Sequence, residues 1–375
     1  MQDNNYRICT RCIMDTTDPD ISFDEKGVCN HCLRYDSEIR PKLLSPEEGA
    51  KKLGEIVAKI KNEGRGKEYD CILGLSGGID SAFVAYKAKE YGLRPLVVHF
   101  DNGWNSEISI KNIEQIVKVL DFDLETHVMD WEEFKDVQRS FFKASVLDIE
   151  LITDNAFISA LYKIASKRKI NYILNGFNYA TESILPRSWY HFKMDVSNIR
   201  DIHGKYGTIP IRKLPMFSVM DYTYSRIFKK IQSVYPLNYI NYDKNEAMKT
   251  LGKEVGWKYY GGKHCESIFT YFYQAYILPY KFNIDKRKAH LSSLILSGQM
   301  TRPEALKITE SEPYPSKAAT EHKDYVAKKL GFSVKEFDEI MDMPPRSHSE
   351  FSTEKPLYEN FVKILNLLRK LKLAR

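Results

Sequence analysis

The hexapeptide SGGIDS, residues 76–81, combines residue types that bind phosphate. It follows an apolar run, 71–75, and precedes a stretch whose apolar residues recur at helical spacing. A strand, a turn of small residues and a helix in this order direct several backbone N–H groups at an anion. The two glycines let the backbone approach phosphate oxygens, and the two serine hydroxyls add donors. The segment therefore predicts a phosphate-binding loop.

The aspartate within this loop indicates a metal ion as well as an anion. A carboxylate repels phosphate, so Asp80 fits here when Mg²⁺ bridges the carboxylate and the phosphates. The lysine of the Walker loop is missing, which argues against the cradle found in kinases and GTPases. We expect a nucleotide cradle formed by Ser76, Gly77, Gly78, Asp80 and Ser81.

Four of the six cysteines form two C-x-x-C pairs near the start of the sequence: Cys9, Cys12, Cys29 and Cys32. Two such pairs can surround one tetrahedral Zn²⁺ with four thiolates, and a closed site of this kind is structural. Disulfides are the alternative and need an oxidising compartment. The sequence shows no apolar leader and no apolar run of membrane-spanning length, so we expect a cytoplasmic protein without membrane insertion and favour zinc.

The composition and the hydrophobic pattern indicate an α/β protein. Short apolar runs at 70–75, 95–100, 125–130 and 171–176 alternate with segments of helical periodicity, including a long one over 131–169. Such alternation predicts a parallel sheet covered on both faces, with ligands beyond the carboxyl ends of its strands. The net charge of +6 permits an anionic substrate, and we expect no nucleic-acid partner.

Three regions follow from this pattern and from a length of 375 residues, which favours more than one core. Residues 1–45 are expected to form a zinc knuckle, and residues 46–215 an α/β domain that binds the nucleotide. After about residue 215 the strand signal fades, so residues 216–375 are expected to form a mostly helical lobe that serves substrate or partner.

Together with its flanking strand and helix, the SGGIDS loop resembles the signature of the PP-loop ATP pyrophosphatases, whose domain is of the HUP-like, adenine nucleotide alpha-hydrolase-like type. Three further segments make the chain similar to the N-acetyl sugar amidotransferases within that group: CTRCIMDTTDPDISFDEKGVCNHC (9–32), LNGFNYATE (174–182) and GGKHCESIFTYFYQAYILPYKFNIDKRKAHLSSLILSGQMTRPEAL (261–306).

The resemblance implies a reaction. Enzymes of the PP-loop group cut ATP between its α and β phosphates and transfer the adenylyl group to a substrate oxygen, with release of pyrophosphate. In the amidotransferases an acetamido group of a nucleotide-activated N-acetyl sugar becomes an acetamidino group, in the biosynthesis of surface polysaccharide such as lipopolysaccharide O-antigen. Ammonia comes from separate glutaminase and synthase-like subunits that resemble the two halves of imidazole glycerol phosphate synthase. ATP, Mg²⁺ and Zn²⁺ are the implied cofactors.

The resemblance also suggests roles for residues outside the loop. Phe100 and Asp101 lie where related enzymes hold adenine and ribose, and Asn175 and Gly176 stand at a neighbouring strand end. Glu182 is a second candidate metal ligand. The catalytic candidates are completed by Lys263, which would stabilise the departing pyrophosphate, and by Glu266, which would take a proton from ammonium or bind sugar hydroxyls.

The substrate-binding candidates are His264, Ser267, Lys286, Arg287, Lys288 and His290. The basic residues among them are expected to hold the diphosphate of the sugar nucleotide. A solvated basic face is the alternative interpretation of this cluster, and ordinary helix-start residues are the alternative for Lys263 and Glu266.

An enzyme of tRNA thiolation or another RNA modification is the alternative function, because PP-loop thiolases also carry C-x-x-C zinc sites. Sulfur transfer needs a reactive thiol, and outside the two pairs only Cys71 and Cys265 remain. A nucleotide-sensing regulator without catalysis is a further alternative. The sequence also lacks the setting of a glutaminase nucleophile, so we expect a partner to supply the ammonia.

Overall fold

The parallel sheet expected from the sequence is present in the computed structural model, which describes residues 6–262, 265–314 and 316–370. Within these residues five strands pair in the order β3-β2-β1-β4-β5, and every neighbouring pair is parallel. The strands are β1 (Cys71–Gly74), β2 (Pro95–Asp101), β3 (Leu124–Val128), β4 (Tyr172–Leu174) and β5 (Gln232–Val234). This confirms the α/β class of the PP-loop enzymes.

Helices account for most of the remaining described chain. In chain order they are α1 (Asn30–Arg34), α2 (Pro46–Glu63), α3 (Ile79–Glu90), α4 (Glu107–Leu120), α5 (Trp131–Ala144), α6 (Leu151–Arg168), α7 (Tyr179–Glu182), α8 (Val196–Tyr206), α9 (Val219–Ile227), α10 (Lys244–Val255), α11 (Ile268–Phe272), α12 (Leu278–Phe282), α13 (Lys286–Leu296), α14 (Arg302–Glu310), α15 (Ser316–Leu330), α16 (Val334–Asp342) and α17 (Lys355–Lys370). In the part of the chain that is described, none of them has both the length and the apolar character to cross a bilayer.

The faces of the sheet are covered by different helices. Leu73 and Val97 pack on one side with residues of α3, α4 and α10, whereas Ile72 and Val98 pack on the other with residues of α6. Successive residues of a strand point to opposite faces, so a run of apolar residues serves both cores. Each of these buried side chains contributes about 1.5–3 kcal/mol relative to exposure.

Two features of the sheet domain differ from the sequence expectation. The long helical region over 131–169 is two helices, α5 and α6, because Ser145 adopts a left-handed conformation (φ 54) and ends α5. Strand β5 lies within residues 216–375, which were expected to be mostly helical, and it pairs with β4. Its sequence, Gln232–Val234, is too short to give a periodic signal.

The amino-terminal and carboxyl-terminal regions share a hydrophobic core with α5 and α6. Met14 and Tyr35 of the cysteine-rich region belong to the same buried cluster as Phe269 and Phe272 of α11. The aromatic residues of the helical region are therefore mainly core residues, because their rings are buried against other rings. This packing places α11 and α13 beside the carboxyl edge of the sheet.

Candidate functional site

A cleft of about 260 Å³ opens at the carboxyl ends of β1 and β4. Strand β1 pairs with β2 on one side and β4 on the other, so the chain changes direction here, and doubly wound sheets bind ligands at such a point. The lining residues come from the loop, from the end of β4 and from the helical region: Gly74, Ser76, Gly78, Ile79, Asp80, Ser81, Phe157, Leu161, Leu174, Asn175, Gly176, Phe177, Thr181, Glu182, Lys244, Tyr260, Glu266 and His290.

Gly77 shapes the loop that begins the cleft. Its φ of +80° is unfavourable for side-chain-bearing residues, and a Cβ here would lie 2.6 Å from the carbonyl oxygen of Ser109. The indole Nε1 of Trp257 donates to the Gly77 carbonyl oxygen at 3.0 Å. The backbone is thereby fixed so that Gly78, which lines the cleft, begins α3 as its N-cap residue.

Hydroxyl groups occupy the backbone donors of the loop. The Oγ of Ser76 accepts from the N–H of Gly78 at 3.2 Å, and the Oη of Tyr260 accepts from the N–H of Ile79 at 3.2 Å. The Oγ of Ser81 accepts from the backbone N–H of Ser76 at 3.3 Å. Phosphate oxygens are stronger acceptors than hydroxyls, so they can replace these contacts at the start of α3.

The Asp80 carboxylate is held inside the cleft by two donors. Its Oδ1 accepts from the hydroxyl of Tyr242 at 2.6 Å and from Nδ2 of Asn178 at 3.2 Å. Burial and the adjacent Asp80 charge raise the pKa of Tyr242, so the phenol stays protonated and donates. Glu182 and Glu266 line the same cleft. Carboxylate oxygens are the ligands that Mg²⁺ prefers, so the side chains present fit a Mg²⁺–nucleotide complex.

The expected nucleotide-binding residues at the other strand ends divide into two groups. Asn175 and Gly176 line the cleft, and a Cβ on Gly176 would lie 3.1 Å from the backbone nitrogen of Ser81. Phe100 is buried and its ring packs edge-on against Phe157, a cleft residue, with centroids 6.0 Å apart. Asp101 instead orders the following turn, because its Oδ1 accepts from the backbone N–H of Gly103. Phe100 and Asp101 do not line the cleft itself.

The basic segment at the start of α13 is spread over different contacts. His290 lines the cleft, and its Nδ1 donates to the carbonyl oxygen of Thr181 at 3.0 Å. Arg287 pairs with Asp285, and Lys288 pairs with Asp15 of the cysteine-rich region. The expectation that these residues bind substrate together is therefore met in position by His290 alone.

Three other substrate candidates are placed as follows or lie outside the description. Burial lowers the pKa of Lys286, whose Nζ lies 6.0 Å from the ring of Tyr273 and which does not line the cleft. The Oγ of Ser267 accepts from the N–H of Thr270 and caps α11. Lys263 and His264 lie outside the described residues.

Four cleft residues were not found by sequence reasoning. Tyr242, Tyr260 and Lys244 come from a stretch without a recognisable motif, and only the fold brings them to the loop. Asn178 stands in the LNGFNYATE segment, where its side chain also caps α7 by accepting from the N–H of Thr181. A polar residue directly after a strand end was the signal available for it.

The four paired cysteines come together in one buried cluster. Their Sγ atoms all lie within 4.8 Å of one another, and each residue is fully buried. Backbone N–H groups point at the sulfurs, with Cys29 N donating to Cys9 Sγ at 3.2 Å and Met14 N to Cys12 Sγ at 3.4 Å. Four converging sulfurs with N–H donors fit a tetrahedral zinc thiolate site, as expected from the spacing.

The thiol of Cys265 is poorly suited to nucleophilic chemistry. Burial and the neighbouring Glu266 carboxylate raise its pKa to about 11, so the thiolate is scarce near neutral pH. Cys71 is fully buried within β1, and burial raises its pKa as well. Outside the four-cysteine cluster, the described residues therefore offer no activated thiol for sulfur transfer.

Comparison with protein families gives two matches. Residues 266–366 match the family described as LPS biosynthesis protein WbpG-like, C-terminal domain. Residues 70–194 match the family of the queuosine biosynthesis protein QueC. The resemblance to PP-loop enzymes with an associated sugar-amidotransferase region is thereby confirmed. Among curated proteins none matches the chain.

Three solved structures resemble the chain at low TM-scores. A subunit of a tRNA methyltransferase from Methanocaldococcus jannaschii is 15% identical and has a TM-score of 0.29, covering 49% of this chain and 75% of its own. The NMN synthetase from Francisella tularensis gives 16%, 0.34, 77% and 98% for the same quantities. The NH3-dependent NAD synthetase from Campylobacter jejuni gives 17%, 0.30, 56% and 83%. No functional conclusion is drawn from these likenesses.

Proposed function

Because the chain is an ATP-utilising PP-loop enzyme of the ligase type that carries a WbpG-like C-terminal domain, we propose that it is an N-acetyl sugar amidotransferase. It would convert an acetamido group of a nucleotide-activated sugar to an acetamidino group, with ATP cleaved to AMP and pyrophosphate. Lipopolysaccharide biosynthesis is the matching process, since the C-terminal family is described by it.

One observation carries the proposal: both matched regions contribute to a single cleft. The QueC-like region supplies Ser76, Asp80 and Glu182, and the WbpG-like region supplies Glu266 and His290. A nucleotide held by the loop would thus face side chains of the domain that distinguishes this chain from other PP-loop proteins. This arrangement favours a shared reaction chamber over two independent binding modules.

The reaction overcomes two obstacles of amide chemistry. An amide carbonyl is a poor electrophile, and its oxygen is a poor leaving group. The amide oxygen attacks the α-phosphorus of ATP, the bond from that phosphorus to the bridging oxygen breaks, and pyrophosphate leaves. Ammonia then adds to the activated carbon, the C–O bond to AMP breaks, and a base accepts one proton. The product is an amidine.

The residues of the cleft match the demands of these steps. The loop N–H groups and the Ser76 and Ser81 hydroxyls would hold the phosphates, with negative charge stabilised at the start of α3. Asp80, with Glu182 as the second candidate, would hold Mg²⁺, which neutralises phosphate charge when bound. Glu266 would accept the proton, and Lys244 is a further cation that lines the cleft.

Ammonia is proposed to come from a glutaminase partner, because the described residues offer no activated thiol for glutamine hydrolysis. The purified chain should then use high concentrations of ammonium salts in place of the partner. Complete inactivity at high ammonium would contradict the scheme.

The test uses the purified chain with ATP, Mg²⁺, ammonium chloride and UDP- or CMP-linked N-acetyl sugars. We expect AMP and pyrophosphate, together with a sugar nucleotide about one mass unit lighter, as oxygen gives way to NH. Release of ADP would contradict the proposal. AMP formation that depends on tRNA, and not on a sugar nucleotide, would favour the RNA-modification alternative to which the QueC match gives weak support.

A further inference from the structure

An aromatic surface continues the cleft beyond β4 and β5. Phe177, which lines the cleft, packs edge-on against Tyr235 with ring centroids 5.8 Å apart. The two residues follow the carboxyl ends of neighbouring strands, and the backbone N–H of Asn175 donates to the Val234 carbonyl oxygen at 2.8 Å. Both rings are more than a third exposed, at 37% for Phe177 and 38% for Tyr235.

Four tyrosines from separate parts of the chain meet there; we call them the tyrosine annex: Tyr190, Tyr222, Tyr235 and Tyr358. Burial and the phenols of the other three raise the pKa of Tyr358, which reflects how closely the four groups converge. The ring of Tyr358 stacks on Phe192 at 4.3 Å. In the described chain, no hydrogen bond to another residue occupies the Tyr190, Tyr222 or Tyr358 hydroxyl.

A cation accompanies the annex. The guanidinium of Arg226 on α9 lies close enough to Tyr235 to oppose the rise of its pKa that burial and Tyr222 cause. Lys229 and Lys230 follow on the same segment, and both are exposed. Across the described residues, no carboxylate forms an ion pair with any of these three side chains. The annex therefore has aromatic faces, hydroxyl donors and an uncompensated positive charge.

These features match a nucleoside diphosphate. Aromatic faces stack on bases, hydroxyls bond ribose or phosphate, and a guanidinium binds phosphate oxygens in pairs. The position also separates two nucleotides. Phe100 and Asp101 end β2 on one side of the loop, whereas the annex follows β4 and β5 on the other side. An acceptor seated in the annex would extend its sugar toward the loop through the cleft.

We infer that the tyrosine annex with Arg226 binds the nucleoside diphosphate of the acceptor, while the loop binds ATP. The identity of the acceptor rests on the proposed function; the binding chemistry of the annex does not. Arg226 and the annex tyrosines would then determine affinity for the sugar nucleotide and leave the ATP site unchanged.

The test titrates uridine diphosphate into the purified chain by calorimetry, with the loop saturated by α,β-methylene-ATP and Mg²⁺. We expect Arg226→Gln and Tyr235→Ala each to weaken the binding of uridine diphosphate about tenfold. The affinity for α,β-methylene-ATP should stay within twofold, and Tyr235→Phe should keep most of the affinity because it retains the aromatic face.

Arg65→Gln is the matched control, since Arg65 is an exposed arginine in the turn before β1, at the opposite edge of the sheet. Unchanged binding of uridine diphosphate in Arg226→Gln and Tyr235→Ala would overturn the inference. So would weaker binding of a single-stranded RNA oligonucleotide by the same variants without any effect on uridine diphosphate.

The two proposals fail in different ways. If uridine diphosphate binds with the expected dependence on Arg226 but no sugar nucleotide is amidinated, the proposed function is wrong and the annex stands. If amidination proceeds with the same KM in wild type and Arg226→Gln, the inference about the annex is wrong and the function stands.

Discussion

Asp80 is the residue on which the chemistry of the cleft depends most directly. Its carboxylate lies at the start of α3, among groups that otherwise attract anions, and Tyr242 and Asn178 hold it in place. A carboxylate is stabilised by the positive end of the helix, but it opposes phosphate binding unless a cation is present. Its conserved geometry within the loop thus indicates metal binding more than structural capping.

Asp80→Asn tests this role. The amide keeps the size of the side chain and can still accept from Tyr242, so we expect the fold to persist while AMP formation falls about 100-fold, or about 2.7 kcal/mol in the barrier. Asp121→Asn is the control, because Asp121 is exposed at the end of α4 with a left-handed φ of 53 that asparagine also tolerates. A rate for Asp80→Asn within threefold of wild type would contradict the assignment.

Gly77 sets the conformation of the loop, and its contribution can be separated into two parts. Gly66 has a similar φ, +76° against +80°, but nothing lies within 4 Å of a Cβ at Gly66. Gly66→Ala should therefore cost only the left-handed strain, about 1 kcal/mol, whereas Gly77→Ala should cost about 2–3 kcal/mol because its Cβ also meets Ser109. Urea unfolding measures both, and equal losses would contradict the clash.

At the level of elements, Asp136 of α5 fixes the segment after α8. Its carboxylate accepts from the hydroxyl and N–H of Thr208 at 2.6 and 2.8 Å, and from Nε2 of His203 at 2.9 Å. Burial alone would raise the pKa of Asp136, but these hydrogen bonds lower it overall to about 2. The charged form is therefore favoured in the folded protein relative to the unfolded chain.

This sets a pH dependence for stability. Since the folded pKa of about 2 lies below the unfolded value of 3.8, the contribution is complete above about pH 5 and is lost as the pH falls from about 4 to 2. Asp136→Asn should destabilise the protein by about 2 kcal/mol at pH 7. Urea midpoints at pH 7 and pH 3 measure the effect, and a difference between wild type and variant that does not shrink at pH 3 would count against it.

At the scale of the whole molecule, the cysteine-rich region supports the helical region that reaches the cleft. The guanidinium of Arg302 donates to the carbonyl oxygens of Cys9 and Cys12, each at 2.9 Å. The N–H of Ile13 donates to the Oγ of Ser292 on α13, the helix that carries His290. The metal site is thus coupled to the cleft through α13 and α14.

Removal of one ligand tests the metal site and its coupling. Cys12→Ser should lose the single bound zinc and lower the melting temperature, because three thiolates hold the ion less tightly. Cys265→Ser, outside the cluster, should keep one zinc per chain. Zinc is measured by plasma mass spectrometry and free thiols by titration of the denatured, non-reduced chain. Four oxidised cysteines would establish the disulfide alternative in place of zinc.

Local sequence was sufficient for the loop, the cysteine cluster and the first four strands. Each of these depends on short-range rules: a glycine turn between a strand and a helix, two C-x-x-C pairs, and apolar runs of strand length. The capping box of α2 belongs here too, since Ser45 Oγ accepts from Glu48 N, as the S-P-E-E pattern predicts. The division of the chain at residues 45 and 215 stays a prediction, and β5 already joins the sheet from beyond it.

Only the tertiary structure decided which polar residues share the cleft. Tyr242, Tyr260 and Lys244 reach the loop across more than 150 residues of chain in a manner that no periodicity encodes, and the basic segment of α13 is divided because each side chain points in its own direction around the helix. The sequence determined the chemistry available, since residue types and short spacings fix donors, acceptors and turns. The packing of distant elements determined which of those groups meet, because contacts between remote side chains depend on how the cores are filled.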